Sequence, residues 1–155
     1  MASPTVARLR VLVAAAVLLV AAVGCSSTIA GRPLEPDVVG MDRALILDYF
    51  ERGNAAADEG ATAQQEFFAK TQHPDFARQL CDLGGHTLVF DPTLSTLRPD
   101  DAWKPDDGQT PRGRIYVVAV TVTVELDQAV LGTQIGSMHL VVLDRATYGF
   151  SPCPN

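Results

Sequence analysis

The sequence predicts an α+β domain in which N-terminal helices pack on one face of a curved antiparallel sheet. Three observations lead to this class. Apolar residues recur at helical spacing between residues 41 and 83, whereas from residue 86 onward they alternate with polar residues at the period of two. The last three strands also follow one another through short turns, without the crossovers that a parallel sheet needs. Helices followed by consecutive strands are typical of an α+β fold.

The first 24 residues have the three parts of a secretory signal. Arg8 and Arg10 make a basic start, residues 11–23 form an apolar stretch, and the small residue Gly24 follows. The stretch is shorter than the roughly 20 residues that a membrane-spanning helix needs. It also lacks the polar face that a helix of a globular core normally carries. A cleaved signal peptide therefore explains residues 1–24 better than a membrane span or a core helix.

Cys25 stands directly behind this segment and is the predicted attachment point of a lipid. A plain signal peptide could also end at the small residues Ala22 and Gly24, with Cys25 as an incidental neighbour of the cut. However, Ala22-Val23-Gly24-Cys25 resembles the lipobox of bacterial lipoproteins, in which the thiol receives a diacylglyceryl group before a peptidase cuts ahead of the cysteine. The resemblance implies a lipid-anchored protein on the extracytoplasmic face of the cell membrane. The bias toward Ala, Val, Asp and Arg is associated with an actinobacterial type of envelope.

The mature chain is short and acidic. The net charge is −6, and removing residues 1–24 takes away two of 12 basic residues and none of 18 acidic ones, which leaves −8 on 131 residues. Such a length suits one domain, predicted here as residues 41–155 behind a lipidated N-terminus and tether at residues 25–40. The charge would repel nucleic acid and anionic headgroups, so we predict no nucleic-acid partner and a membrane contact made through the lipid on Cys25.

Two helices are predicted at the start of the domain. The apolar stripe of the first helix consists of Leu45, Ile46, Tyr49 and Phe50. Gly60 would end this helix. Thr62 and Gln65 match the T-x-x-Q capping box, which would open a second helix containing Phe67 and Phe68.

A third short helix is predicted at residues 75–83. Pro74 suits its first turn and Gly84 suits its end. The apolar residues that it would bury are Phe76, Leu80 and Leu83. His73 precedes the proline in a predicted turn, so we expect its side chain to be exposed.

Four strands are predicted, at residues 86–90, 113–126, 133–144 and 147–150. The longest has an apolar face made of Tyr116, Val118, Val120, Val122, Val124 and Leu126. Its other face carries Ala119, Thr121, Thr123 and Glu125, so one face should be core and the other mostly solvated. Tight turns near Asp127 and Asp144 would join the last three strands into an antiparallel meander.

This order of elements resembles the NTF2-like (cystatin-like) α+β families over about residues 42–153, with "VTVTVEL" as the long strand and "LDRATYGFSPC" as the closing hairpin. Proteins of this kind include lipoproteins and membrane-tethered accessory factors of the bacterial envelope, and also isomerases and dehydratases that work inside the cone of the sheet. The resemblance implies a non-catalytic accessory or binding module. The alternative is a small enzyme, or a carrier of a small apolar ligand, that uses the cone.

The enzyme alternative needs a titratable side chain inside the cone. Tyr116 is the only such residue on the apolar face of the long strand, and His86 and His139 could each serve as a pocket base. A strand histidine is more often simply hydrogen-bonded in place. G-x-S-x-G, Walker, dinucleotide and H-E-x-x-H motifs do not occur in the sequence. We therefore predict no catalytic residue and no cofactor.

The loop that contains Trp103, the only tryptophan, is acidic. Its carboxylates could bind calcium, but their spacing does not match the EF-hand and a solvated acidic loop is commoner, so no metal is predicted. The four carboxylates of this loop belong to Asp100, Asp101, Asp106 and Asp107. Trp103 is either folded back on the sheet or offered to a partner, such as another envelope protein.

Two cysteines remain once Cys25 carries a lipid. Cys81 lies in the predicted third helix and Cys153 in the proline-flanked tail "SPCPN". An even pair outside the cytoplasm favours a disulfide, which would tie the last strand to the helical layer. The alternative is two free thiols, with Cys81 simply buried.

Overall fold

The computed structural model describes residues 36–105 and 108–152, which belong to the compact unit Leu34–Asn155. Its elements are two helices, α1 (Pro36–Glu59) and α2 (Ala61–Thr71), followed by four strands, β1 (His86–Pro99), β2 (Arg114–Leu126), β3 (Ala129–Leu143) and β4 (Ala146–Tyr148). The strands form one antiparallel sheet in the order β1-β2-β3-β4. The predicted α+β class, with N-terminal helices packed against an antiparallel sheet, is confirmed.

Several predictions lie outside the described residues. They are the signal peptide, the lipid site at Cys25, most of the tether, Asp106, Asp107 and Cys153. Within the part that is described, no helix has both the length and the apolar character of a membrane span.

Helix α1 begins at Pro36, so the predicted domain boundary at residue 41 lies inside it. Its apolar stripe is buried as predicted, with Ile46, Tyr49 and Phe50 almost fully enclosed. The helix ends at Glu59, and Gly60 follows with a φ of 112°. A positive φ is readily adopted only by glycine, which explains why the two helices separate at this residue.

The predicted capping box of α2 is wrong. Gly60 is the N-cap residue, and no side chain caps the helix. The Gln65 side chain turns instead to the chain beyond the helix, where it donates to the carbonyl of Cys81 (2.9 Å) and accepts from the amide of Leu83 (3.3 Å). Backbone groups that are shielded from water need partners, and Gln65 supplies two of them in this part-buried segment. Phe67 and Phe68 lie in this helix as predicted, and both are buried.

The predicted third helix is also wrong. A single 3₁₀ turn covers Pro74–Phe76, and residues 77–85 form an irregular loop. Phe76 and Leu83 are buried but Leu80 is exposed. Gln65 forms hydrogen bonds with the backbone at residues 81 and 83. These long-range bonds replace the backbone hydrogen bonds that a helix would have formed locally.

The sheet has two different faces. The helix face is the one against which α1 and α2 pack, and it carries Tyr116, Val118 and Val120 of β2. The outer face carries Ile115 and Val117, which are also buried. The expectation that this second face is mostly solvated is therefore wrong at these two residues. The four residues predicted for it are partly buried, namely Ala119, Thr121, Thr123 and Glu125.

The turns of the meander are confirmed. Asp127 with Gln128, and Asp144 with Arg145, adopt the pairs of positive φ values that two-residue hairpin turns require. Strand β1 is longer than predicted, since it continues to Pro99, and β3 begins at Ala129 rather than at residue 133.

The helices cover only part of the helix face. Phe50 and Phe68 both contact Phe90 of β1, with ring centroids 5.9 and 6.2 Å apart. Farther along β2, Val122 and Val124 are only partly buried and Leu126 is exposed. An apolar half of the sheet is therefore left open beside the helical layer.

Candidate functional site

The uncovered half of the helix face forms a groove with a volume of about 620 Å³. Its apolar lining consists of Leu83, Leu88, Val120, Val122, Val124, Met138 and Pro152. Alternation along β2 places its three valines on the same face, and the loop after α2 contributes Leu83 as an opposing wall. The groove therefore presents a continuous hydrocarbon surface.

Two polar residues of the groove, Asp82 and His86, lie in the loop after α2 and at the start of β1. Nδ1 of His86 is 2.8 Å from the carbonyl oxygen of Leu83, and because a carbonyl only accepts, this ring nitrogen carries the proton. A carboxylate oxygen of Asp82 accepts the amide of Gly84 at 2.9 Å. Among the described residues no hydrogen bond joins Asp82 to His86. The groove therefore contains one histidine but no assembled acid–base pair.

Tyr116 does not line this groove. It is buried under α1, and its hydroxyl donates to Asp42 at 2.6 Å. Arg114 donates two further hydrogen bonds to the same carboxylate, each of 2.6 Å. Burial and the neighbouring carboxylate raise the pKa of Tyr116 to about 12, so the phenol stays protonated. Tyr116 serves to hold α1 on β2 and is not a pocket residue.

Asp42 remains ionised in this buried arrangement. Burial by itself would raise the pKa of Asp42, but the hydrogen bonds from Arg114 and Tyr116 and the guanidinium charge outweigh burial and lower the pKa below its ordinary value. The sequence analysis missed this cluster. An acidic residue in the first turns of an amphipathic helix carries no local signal of a partner 72 residues away.

His139 lies on the outer face, because its neighbour Met138 lines the groove and side chains alternate along a strand. Its Nε2 is 3.0 Å from a carboxylate oxygen of Asp100. Trp103 stacks on the imidazole, with centroids 4.2 Å apart and planes 9° apart, and also contacts Phe150 at 4.8 Å. His139 is therefore not a base of the groove, and Trp103 follows the first of its two alternatives by folding back on the sheet.

His73 extends this outer-face cluster and is fully buried rather than exposed. Its Nε2 donates to the carbonyl of Arg112 at 2.9 Å, and its Nδ1 accepts the amide of Asp75 at 3.2 Å. Its ring lies parallel to that of Phe150, with centroids 5.8 Å apart. The two histidines thus have structural partners on the face opposite the groove.

Two other candidate sites have limited support. Asp100 of the acidic loop is engaged by His139, and the described ranges contain no group of three or more His, Cys, Asp or Glu placed to hold a metal ion.

The Cys81 sulfur lies 3.4 Å from the hydroxyl of Ser151, two residues before Cys153. This contact brings the C-terminal segment to Cys81, and the disulfide itself stays a prediction.

The groove as a whole combines a hydrocarbon wall, one oriented imidazole and the amide side chain of Gln134 at the β3 side. In comparisons with known proteins, no family model, no curated protein and no solved structure matches this chain.

Proposed function

We propose that this protein is a lipid-anchored, non-catalytic binding module of the cell envelope, and that its groove takes a small apolar ligand. The observation that carries the proposal is the open apolar groove of about 620 Å³ on the helix face. This volume falls within the range of about 300–1,000 Å³ in which small-molecule sites usually lie.

The lining favours an apolar ligand. The side chains of Val122 and Val124 are partly buried in a part of the sheet that the helices do not reach. Covering such surface releases about 25 cal/mol for each Å² of apolar area removed from water. A ligand with a hydrocarbon body would gain this free energy, and His86 and Gln134 at the rim could accept a single polar group.

The same geometry argues against the enzyme alternative. General acid–base chemistry requires a positioned proton donor or acceptor, usually oriented by a second group. Tyr116 and His139 lie outside the groove, and His86 is tied to a backbone carbonyl without a carboxylate partner. A carrier or accessory role requires only the apolar wall of the groove.

The NTF2-like assignment belongs to the same proposal. It is supported by helices that precede a continuous antiparallel sheet and by a cavity on the face that they partly cover. In this arrangement the groove takes the place of the cone.

The anchor rests on Cys25 and the signal that precedes it. Replacing Cys25 by Ala should block lipid attachment and move the protein from the membrane fraction to the medium, or leave an unprocessed precursor. Mass spectrometry of the mature N-terminus decides the point. An N-terminus other than a lipidated Cys25 would contradict the anchor while leaving the groove unaffected.

The groove is tested with N-phenyl-1-naphthylamine, an uncharged fluorophore that brightens in apolar surroundings. Val124→Asp places a charge on the groove wall and should weaken probe binding by about tenfold or more, since an unpaired charge would have to be desolvated. Thr123→Asp is the matched control. Thr123 is the residue before Val124 on β2 and is also partly buried, but its side chain lies on the outer face.

The expected result is saturable binding by the wild-type chain and by Thr123→Asp, with loss in Val124→Asp. Circular dichroism verifies that each variant is folded. Equal binding by the two variants, or no saturable binding by the wild type, would show that the groove does not take apolar ligands. Turnover of a bound compound that depends on His86 would favour the enzyme alternative.

A further inference from the structure

Strand β3 has a long edge without a strand partner in the described part of the chain. On one side β3 pairs with β2 from Ala129 to Val142. On the other side β4 pairs only with Val141, Val142 and Leu143. Residues 129–140, called the open edge below, therefore direct a row of backbone N–H and C=O groups away from the sheet.

The opposite edge of the sheet is closed in an unusual way. The side-chain amide of Gln64 donates to the carbonyl of Leu88 (2.6 Å) and accepts its N–H (2.8 Å). The amide of Asn54 makes the same pair of bonds to Phe90, at 2.8 Å each. Two side chains thus imitate a neighbouring strand along β1. Side chains therefore occupy the β1 edge at Leu88 and Phe90, whereas no side chain of the described residues bonds in this way to the open edge of β3.

Apart from a bulge at Leu131, where the register against β2 shifts, the open edge lacks the features that normally protect an edge strand. Lysines, prolines and inward-pointing charges serve this purpose in natural sheets. Residues 129–138 read AVLGTQIGSM, with no charged residue and no proline. The exposed fractions of Val130, Leu131 and Ile135 are 63%, 58% and 79%. In a chain of net charge −6, this uncharged strand is a place where a second copy can approach without like-charge repulsion.

Gly132 and Gly136 are an independent indication that another backbone approaches the open edge. Neither has a positive φ, and a Cβ added at either would meet no atom within 4 Å. The conformation and packing of this chain therefore do not require glycine at these positions. Glycine inside a strand weakens it and often marks a site where another backbone approaches closely.

We propose that two copies of this protein pair along their open edges, β3 antiparallel to β3, into one continuous eight-stranded sheet. An identical strand has the same length and the same lack of charge, and antiparallel pairing of identical strands closes under a two-fold axis. The groove gives a further reason for pairing with a second copy of this chain. Gln134, Gly136 and Met138 form its β3 side, so the β3 strand of the second copy extends the groove wall beyond the single chain.

The test is sedimentation equilibrium of the full chain in a detergent matched to the solvent density. The wild type should be a dimer. Ile135→Lys puts a charge on the exposed face of the open edge and should raise the dimer dissociation constant by about tenfold or more. Thr121→Lys is the matched control, because Thr121 is the β2 partner of Ile135 on the same face, but lies in a central strand. It should remain a dimer.

Circular dichroism checks that each variant is folded, and Thr133→Lys on the same edge replaces Ile135→Lys if that variant is not. A monomeric wild type overturns the proposal, whether the edge is then covered by another part of this chain or by a different protein. A dimer that withstands both edge variants overturns it as well. Probe binding by a monomeric wild type would separate failure of this inference from failure of the groove.

Discussion

Replacing Asp42 by Asn should destabilise the fold by about 2 kcal/mol, because Asp42 joins α1 to β2 in the buried cluster described above. The carboxylate is 1% exposed and receives three hydrogen bonds, two from Arg114 and one from Tyr116. Asparagine keeps the size of the side chain and removes its charge. The substitution therefore tests the electrostatic part of the contact with little change in packing.

The magnitude follows from the exposure of the two partners. Hydrogen bonds to a charged group contribute about 1.5–3 kcal/mol each when they are buried. The Arg114 side chain is 45% exposed, so water can replace the carboxylate, and this pair is valued at about 1 kcal/mol as for a surface ion pair. The buried Tyr116 hydroxyl can still donate to the amide oxygen, but with about half the strength, which costs about 1 kcal/mol more. A loss of about 2 kcal/mol corresponds to a fall in Tm of about 8 °C for a domain of this size.

The effect should depend on pH in a defined direction. The pKa of Asp42 is lowered from its ordinary value of 3.8, so the folded state holds the proton less tightly than the unfolded chain does. The stabilisation is then complete above about pH 5 and is lost as the pH falls below 3.8 through the folded-state pKa. The difference in stability between the wild type and Asp42→Asn should therefore shrink at acidic pH.

The assay is urea unfolding of the purified chain, followed by the fluorescence of Trp103 at neutral pH and at about pH 3. Asp48→Asn is the matched control, since Asp48 lies on the same helix and pairs with Arg52 while their side chains are 57% and 51% exposed. The control should lose about 0.5 kcal/mol or less. Equal losses in the two variants, or a difference for Asp42→Asn that persists at low pH, would refute the reasoning.

Three further substitutions test other contacts. Gln64→Leu should cost about 3 kcal/mol, since it leaves buried backbone groups of β1 and α1 without partners, and an unchanged urea midpoint would contradict the edge-closing role of this amide. Gly149→Ala should cost about 1–3 kcal/mol because the added Cβ would overlap the hydroxyl of Tyr49; adding Tyr49→Phe should restore part of the loss, and no recovery would exclude that overlap as the cause. The predicted disulfide between Cys81 and Cys153 would close a loop of about 70 residues, so Cys81→Ser should lower the free energy of unfolding by roughly 4 kcal/mol. An intact mass that shows two free thiols in the wild-type chain would disprove that pairing.

The sequence determined the elements whose pattern is local. The stripe of α1, the alternation along β2 and the two-residue turns at Asp127 and Asp144 were all predicted and are all present. Each of these depends on neighbours within a few residues, because helical and strand periods are properties of the backbone. The open groove also has its basis in this pattern, since the apolar face of β2 continues to Leu126 beyond the reach of the helices.

Tertiary structure decided which residues meet. Residues 75–83 have helical spacing, yet Gln65 holds their backbone in a loop, and the apolar period could not reveal this competing partner. His86 and His139 both lie on strands, but only the assembled sheet places one at the groove and the other under Trp103 on the opposite face. Alternation along a strand indicates that neighbouring side chains point to opposite faces of the sheet. It does not state what covers each face, because that depends on contacts between segments far apart in the chain.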